Sequence, residues 1–123
     1  KGIDFKAKVE PKSLELTADP ELIEQVLINL LLNALQALDQ QQNPQIRLNG
    51  HLDDRGRILI QIRDNGPGIT KENLDKIFIP FFSTKEGGSG IGLSFSRQIM
   101  RLHKGTINAH SIPDEQTTFT LRF

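Results

Sequence analysis

The stretch Ile46-Arg47-Leu48-Asn49-Gly50-His51-Leu52, carried across Asp53-Asp54-Arg55-Gly56 into Ile58-Leu59-Ile60-Gln61-Ile62, decides the fold. Ile46, Leu48 and Leu52 alternate with Arg47, Asn49 and His51, and Ile58, Ile60 and Ile62 resume the pattern beyond the turn. A period of two with one apolar face predicts two strands paired as a hairpin. Strands with such one-sided alternation belong to a sheet that is wet on one face and covered by helices on the other. An all-parallel sheet would need strands apolar on both faces and a helix between each pair.

Outward from the hairpin, the same period recurs. Ile3, Phe5, Ala7 and Val9 alternate with Asp4, Lys6, Lys8 and Glu10, predicting a strand with one buried face, and residues 14–16 predict a second, short strand. Asp19-Pro20-Glu21 reads as a helix start, with Asp19 as N-cap and Pro20 at the first helical position. That helix is expected to run to about Gln41, burying Leu22, Ile23, Val26, Leu27, Leu30, Leu31, Ala34, Leu35 and Leu38 as one stripe. A short helical stretch over 71–77 and a second helix over 94–102 follow, the latter ending at His103-Lys104-Gly105. Two further strands are expected over 106–111 and 117–123, with Phe119, Leu121 and Phe123 on one face. The order β-β-α-β-β-α-α-β-β predicts a two-layer α/β sandwich: a mixed, mainly antiparallel sheet covered on one face by helices.

Composition narrows the function. The chain has 123 residues, enough for one domain over 1–123 with its own core. It contains no Cys, which excludes disulfides and thiolate metal sites and fits a reducing compartment. Fifteen Lys plus Arg against 15 Asp plus Glu argue against a nucleic-acid partner, which needs an excess of cations on one surface. No apolar run approaches the ~20 residues of a membrane span. The chain opens at Lys1 and has its single methionine at Met100, so it is expected to be excised from a longer protein.

Three places carry chemistry. Gln25, Asn29 and Asn33 recur at steps of four on one edge of a leucine-rich helix. A buried amide left unpaired costs about 1–3 kcal/mol, so something polar should meet these side chains: a neighbouring loop or a ligand. Asp64-Asn65-Gly66-Pro67-Gly68-Ile69 lies where an apolar strand ends, and reads as a tight turn or a ligand-facing loop. An ionised Asp only accepts hydrogen bonds, so it favours the exocyclic amine of adenine over the carbonyl oxygen of guanine. Gly87-Gly88-Ser89-Gly90-Ile91-Gly92-Leu93 runs into a helix, where backbone amides can receive a phosphate. It lacks the Gly-Lys pair of a Walker loop, and Leu93 stands where a dinucleotide fingerprint needs glycine. Between the last two places, Phe78 and Phe81 are expected as core anchors beneath a segment, 83–89, that can close over a ligand.

Asn29-Leu30-Leu31-Leu32-Asn33-Ala34 resembles the N box of sensor histidine kinases, Asp64-Asn65-Gly66-Pro67-Gly68-Ile69 their G1 box, Phe78-Ile79-Pro80-Phe81 their F box, and Gly88-Ser89-Gly90-Ile91-Gly92-Leu93-Ser94 their G2 box. The four occur in family order. The resemblance implies the Bergerat ATP-binding fold, shared by gyrase, the heat-shock chaperone ATPase, histidine kinases and MutL. It implies ATP and Mg²⁺ as cofactors and a catalytic pair, Asn29 and Asn33, with Asn33 supplying an amide oxygen to the metal and Asn29 supporting phosphates and metal. Asp64 would take the adenine amine. Asn65, Gly66, Gly68, Ile69 and Phe78 would shape the base site, and Gly88, Ser89, Gly90, Ile91, Gly92 and Leu93 the phosphate site. The lid, 82–89, is short, as in kinases of the nitrogen-regulation type, with Thr84 and Lys85 at the phosphates.

Two departures stand out. Gln36 occupies a cofactor-site position where many members carry Lys or His, and Asn29 replaces the glutamate that positions water in hydrolytic relatives. A neutral amide cannot take a proton, which disfavours hydrolysis. His51, His103 and His110 are followed by Leu, Lys and Ser, whereas the family's phosphoacceptor histidine precedes an acidic residue. The acceptor is therefore expected on a dimerisation and histidine phosphotransfer domain outside this chain, in a homodimeric parent with a response regulator downstream. The resemblance implies a cytoplasmic location in a parent that is either soluble or membrane-anchored, the fragment itself being monomeric. The alternatives are a pseudokinase scaffold that only binds nucleotide, a related ATPase, or a serine kinase of the anti-sigma type.

Overall fold

The computed structural model describes residues 2–83 and 90–123. The chain runs β1 (Asp4–Val9), α1 (Pro20–Ala37), β2 (Gln45–Leu52), β3 (Ile58–Asp64), α2 (Lys71–Leu74), α3 (Gly92–Leu102), β4 (Thr106–Ile112) and β5 (Gln116–Arg122). The five strands form one sheet in the order β1-β2-β3-β5-β4. α1 is the crossover that lets β1 pair parallel to β2, and the other three pairings are antiparallel. The expected mixed, mainly antiparallel sheet with helices on one face is what forms.

Register explains the two faces. Leu48, Ile62, Phe119 and Ala109 share one row across the sheet, and Gly50, Ile60, Leu121 and Ile107 the next. These rows meet Ile23, Val26, Leu30, Ala34 and Leu38 of α1 and its extension, and Ile99 and Met100 of α3, in a single buried cluster. The opposite face is mostly polar, buried Leu59 excepted, with Gln61 Nε2 donating to Thr120 Oγ1 across β3 and β5. Among the described residues no helix is long and apolar enough to cross a membrane.

Five local expectations need correction. Residues 14–16 form no strand: Leu14 N instead closes a turn onto Pro11 O just beyond β1. β1 itself buries neither face, because α1 and α3 pack over β3 and β4 and leave the β1 edge uncovered; Phe5 is 49% exposed although it pairs with buried Ile46. α1 stops at Ala37 because the apolar stripe ends with buried Leu38, whose amide is shared between Ala34 O and Leu35 O. The stretch 71–77 is one helical turn, capped by Thr70, followed by successive three-residue turns that deliver Ile77 to the core. α3 starts two residues earlier than expected, at Gly92.

The end of α3 shows why its two punctuating residues differ. Gly105 N bonds Met100 O and Lys104 N bonds Arg101 O, the paired bonds of a Schellman motif. The left-handed position is Lys104, with φ 59°, and not Gly105. Gly105 is needed for space, since a Cβ there would lie 2.4 Å from Arg122 O. Just before it, His103 joins the two helices: Asp19 N donates to Nε2 at 3.1 Å, so the ring hydrogen sits on Nδ1 and faces Ile99 O at 2.8 Å.

Lys104→Gly is expected to stabilise the fold by about 0.5–1 kcal/mol in urea unfolding by relieving left-handed strain. Gly105→Ala should cost more than about 1 kcal/mol through overpacking. Equal effects of the two substitutions would contradict this division of roles.

Candidate functional site

A cavity of about 400 Å³ opens beside α1, at the end of β3, against β5 and at the start of α3. From α1 it takes Asn29, Leu32, Asn33, Gln36 and Ala37. These fall along one helix edge because Leu30 and Ala34 already commit the adjacent stripe to the core. Asn33 is half-buried, and Gln36 is exposed at the rim.

The base of the cavity is built at the last residue of β3. Asp64 is 5% exposed and pairs in register with Thr117 of β5, itself 4% exposed. Asp64 Oδ1 accepts from Gly66 N at 2.9 Å, turning the chain back under α1. A Cβ on Gly66 would sit 3.0 Å from Ala37 O, so only glycine lets the loop pass this closely. Gly68 carries φ +77° and would meet Ile112 O at 2.7 Å. The loop is then clamped to the β4–β5 turn, with Asp114 N donating to Pro67 O at 2.6 Å and Ile69 N donating to Ser111 Oγ at 2.7 Å.

The third wall is the start of α3. Gly90, Gly92 and Leu93 line the cavity, no acidic residue stands in the first turn, and the N-cap residue Ile91 makes no side-chain capping bond. Amide donors are therefore left at the positive end of an 11-residue helix. Phe81 N bonds Gly90 O at 2.8 Å, which ties this start to the segment before it.

Nine of the expected residues border the cavity: Asn29, Asn33, Gln36, Asp64, Gly68, Ile69, Gly90, Gly92 and Leu93. Four do not. Asn65 turns away as a staple, its Oδ1 accepting from Gln45 N at 2.7 Å and its Nδ2 donating to Asn43 O at 3.0 Å. Gly66 is buried behind the wall, and Ile91 is exposed outside it. Phe78 packs on the core with the Arg97 guanidinium 5.2 Å over its ring. Thr84, Lys85, Gly88 and Ser89 lie outside the described residues.

Phe81 also departs from expectation. It is 79% exposed and no core anchor. Its φ of 70° reverses the chain, and Phe82 enters the cavity wall in its place. Thr117 and Phe119 are wall residues that motif reasoning missed. The alternation over 117–123 was the available signal for Phe119, yet nothing in sequence places β5 beside β3.

Asn29 has a second task. Its Nδ2 donates to Gly92 O and to Ser96 Oγ, both at 3.3 Å, while Ser96 Oγ donates to Gly92 O at 2.8 Å. Ser96 is fully buried. The two side chains bracket the first turn of α3 against α1, and so fix where its amides point.

The family model described as histidine kinase-, DNA gyrase B-, and HSP90-like ATPase matches residues 18–123. The signal transduction histidine-protein kinase AtoS of Escherichia coli K12 is 40% identical over 119 residues, covering 97% of this chain and 19% of that protein. The sensor histidine kinase ZraS of Klebsiella oxytoca is 37% identical, covering 98% and 26%, and the sensory histidine kinase/phosphatase NtrB of Vibrio alginolyticus 34%, covering 98% and 37%. The chain thus spans well under half the length of these relatives. Among solved structures, the nucleotide-free catalytic domain of the histidine kinase ThkA superposes with a TM-score of 0.85 at 34% identity, over 98% of this chain and 78% of that one.

Ser96→Ala and Asn29→Ala should each cost about 0.5–1.5 kcal/mol in urea unfolding, since each removes bonds of the bracket while the remaining side chain keeps Gly92 O as a partner. The double variant should cost clearly less than the sum. Simple additivity would show that the two side chains do not act together.

Proposed function

Because the chain belongs to the histidine kinase-, DNA gyrase B- and HSP90-like ATPase family, we propose that its cavity binds Mg-ATP and presents the γ-phosphate to a histidine on a separate dimerisation domain. One observation carries the proposal: the carboxamide edge of α1, the buried carboxylate of β3 and the uncapped start of α3 border the same cavity.

Asp64 accepts the adenine amine, and Ile69 and Phe119 supply apolar wall to the base. The α3 amides receive phosphate oxygens, aligned by the Asn29–Ser96 bracket. Asn33 offers a hard oxygen donor suited to Mg²⁺, and among the described residues no group of three His, Cys, Asp or Glu competes for a cation. The ion would therefore keep mostly phosphate and water oxygens, and its chemistry is charge neutralisation. Phosphoryl transfer then depends on positioning more than on covalent chemistry from this chain.

Transfer is favoured over hydrolysis. Asn29 is a neutral amide whose nitrogen already serves Gly92 O and Ser96, so it cannot act as a base toward water. No histidine lines the cavity: His103 uses both ring nitrogens at the helix ends, and His51 of β2 and His110 of β4 lie on the sheet face away from the helices. The acceptor belongs to another part of the parent protein, which passes the phosphoryl group on to a response regulator.

Incubated with γ-labelled ATP, this chain should remain unlabelled and should label an added dimerisation domain; self-labelling or steady phosphate release would overturn the proposal. Asp64→Asn should weaken ATP binding by about 10–100-fold, the worth of a charge-assisted hydrogen bond. Asn33→Ala should remove most of the Mg²⁺ dependence of affinity, measured by calorimetry with and without the ion.

A further inference from the structure

Ser111 of β4 belongs to none of the motifs, yet it touches both the loop and the strand that form the base of the cavity. Asp64, Thr117 and Ser111 occupy one row across β3, β5 and β4 on the covered face. The Ser111 hydroxyl has three neighbours: Ile69 N at 2.7 Å, Gln116 O at 3.0 Å and Thr117 Oγ1 at 3.2 Å.

A hydroxyl has one proton and two lone pairs, so these contacts can be allotted. Ile69 N can only donate and takes one lone pair. Gln116 O can only accept and takes the proton. The remaining lone pair faces Thr117, whose hydroxyl must then be the donor. With its proton spent on Ser111, the Thr117 hydroxyl has only lone pairs left to offer a ligand in the cavity that this residue lines. It does so beside Asp64, whose carboxylate is likewise an acceptor.

We propose that Ser111 is a positioning residue that locks Thr117 as a hydrogen-bond acceptor and so makes this end of the cavity select a 6-amino purine over a 6-oxo purine. The proposal rests on the reading that Asp64 takes the base amine. A purine amine meets two acceptors there and is paired. A carbonyl oxygen in its place meets lone pairs and no donor, and a site whose polar groups are left unpaired rejects its ligand strongly. Without Ser111 the Thr117 hydroxyl is free to turn its proton into the cavity and donate to that oxygen.

Calorimetry with Mg-ATP and Mg-ITP, which differ at the 6-position, tests this on the chain itself. The parent should prefer ATP, and Ser111→Ala should lower the ATP-to-ITP affinity ratio about tenfold, the equivalent of one neutral hydrogen bond. Thr117→Val should lower it similarly, and the double variant should go no further, because Ser111 acts through Thr117. Ser111→Thr, which keeps the hydroxyl, should retain the parent's ratio. A purely structural role for Ser111 would weaken both nucleotides together and leave the ratio unmoved. Should Ser111→Ala prove too unstable to purify, Ser111→Cys, with its weak donor and acceptor, carries the same expectation.

An unchanged ratio in the Ser111 variants, or additive effects in the double variant, overturns the proposal while leaving Asp64 in place. Failure of the underlying reading looks different: the parent shows no preference, or Asp64→Asn keeps it in full.

Discussion

A carboxylate on the buried face of a sheet is the constraint around which this domain is arranged. Most rows of the covered face are apolar and accept the helices directly. The last row begins with buried Ile46, but its remainder, Asp64, Thr117 and Ser111, cannot, because apolar side chains packed onto it would strand polar atoms at a cost of about 1–3 kcal/mol each. The Gly66–Gly68 turn folds back instead, gives Asp64 an amide partner and passes beneath the end of α1. What remains between the turn, α1 and α3 is the cavity.

The helix layer is held to match. α3 is joined to α1 at both ends, through the Asn29–Gly92–Ser96 bracket at its start and the Asp19–His103 bond at its finish. The same helix is sealed by a Schellman closure that brings Gly105 against β5. The amides at its start thus occupy a set position relative to Asn33, although they belong to residues some sixty positions later in sequence. Neutral Asn29 both borders the cavity and holds the start of α3, the double position on which the proposed preference for transfer over hydrolysis rests.

Much of this was legible beforehand, for identifiable reasons. Alternation named the β2–β3 hairpin and its wet face because every strand residue has only two directions to point. Polar side chains interrupting the leucines of α1 marked an edge that needs polar partners, and there Asn29 and Asn33 border the cavity. Local signals failed where neighbours decide. Residues 14–16 have strand character but follow a turn that Leu14 N closes onto Pro11 O, and they join no strand. Phe81 looks like an anchor, yet a left-handed turn sends Phe82 inward. Asn65 sits in the right motif and is consumed by the backbone of residues 43 and 45. Thr117 and Ser111 gain meaning only once β5 inserts beside β3, a neighbour relation that no local pattern encodes.

The central claim is that three separated stretches of sequence serve one nucleotide. Backbone amide shifts of the isotopically labelled chain, followed while a non-hydrolysable Mg-ATP analogue is titrated, test it most directly. Saturable shifts should concentrate at Asn29 to Ala37, Asp64 to Ile69 and Gly90 to Leu93, all with one dissociation constant. Shifts gathered on the outer sheet face around Gln61 and Thr120, or different constants for the three stretches, would contradict it.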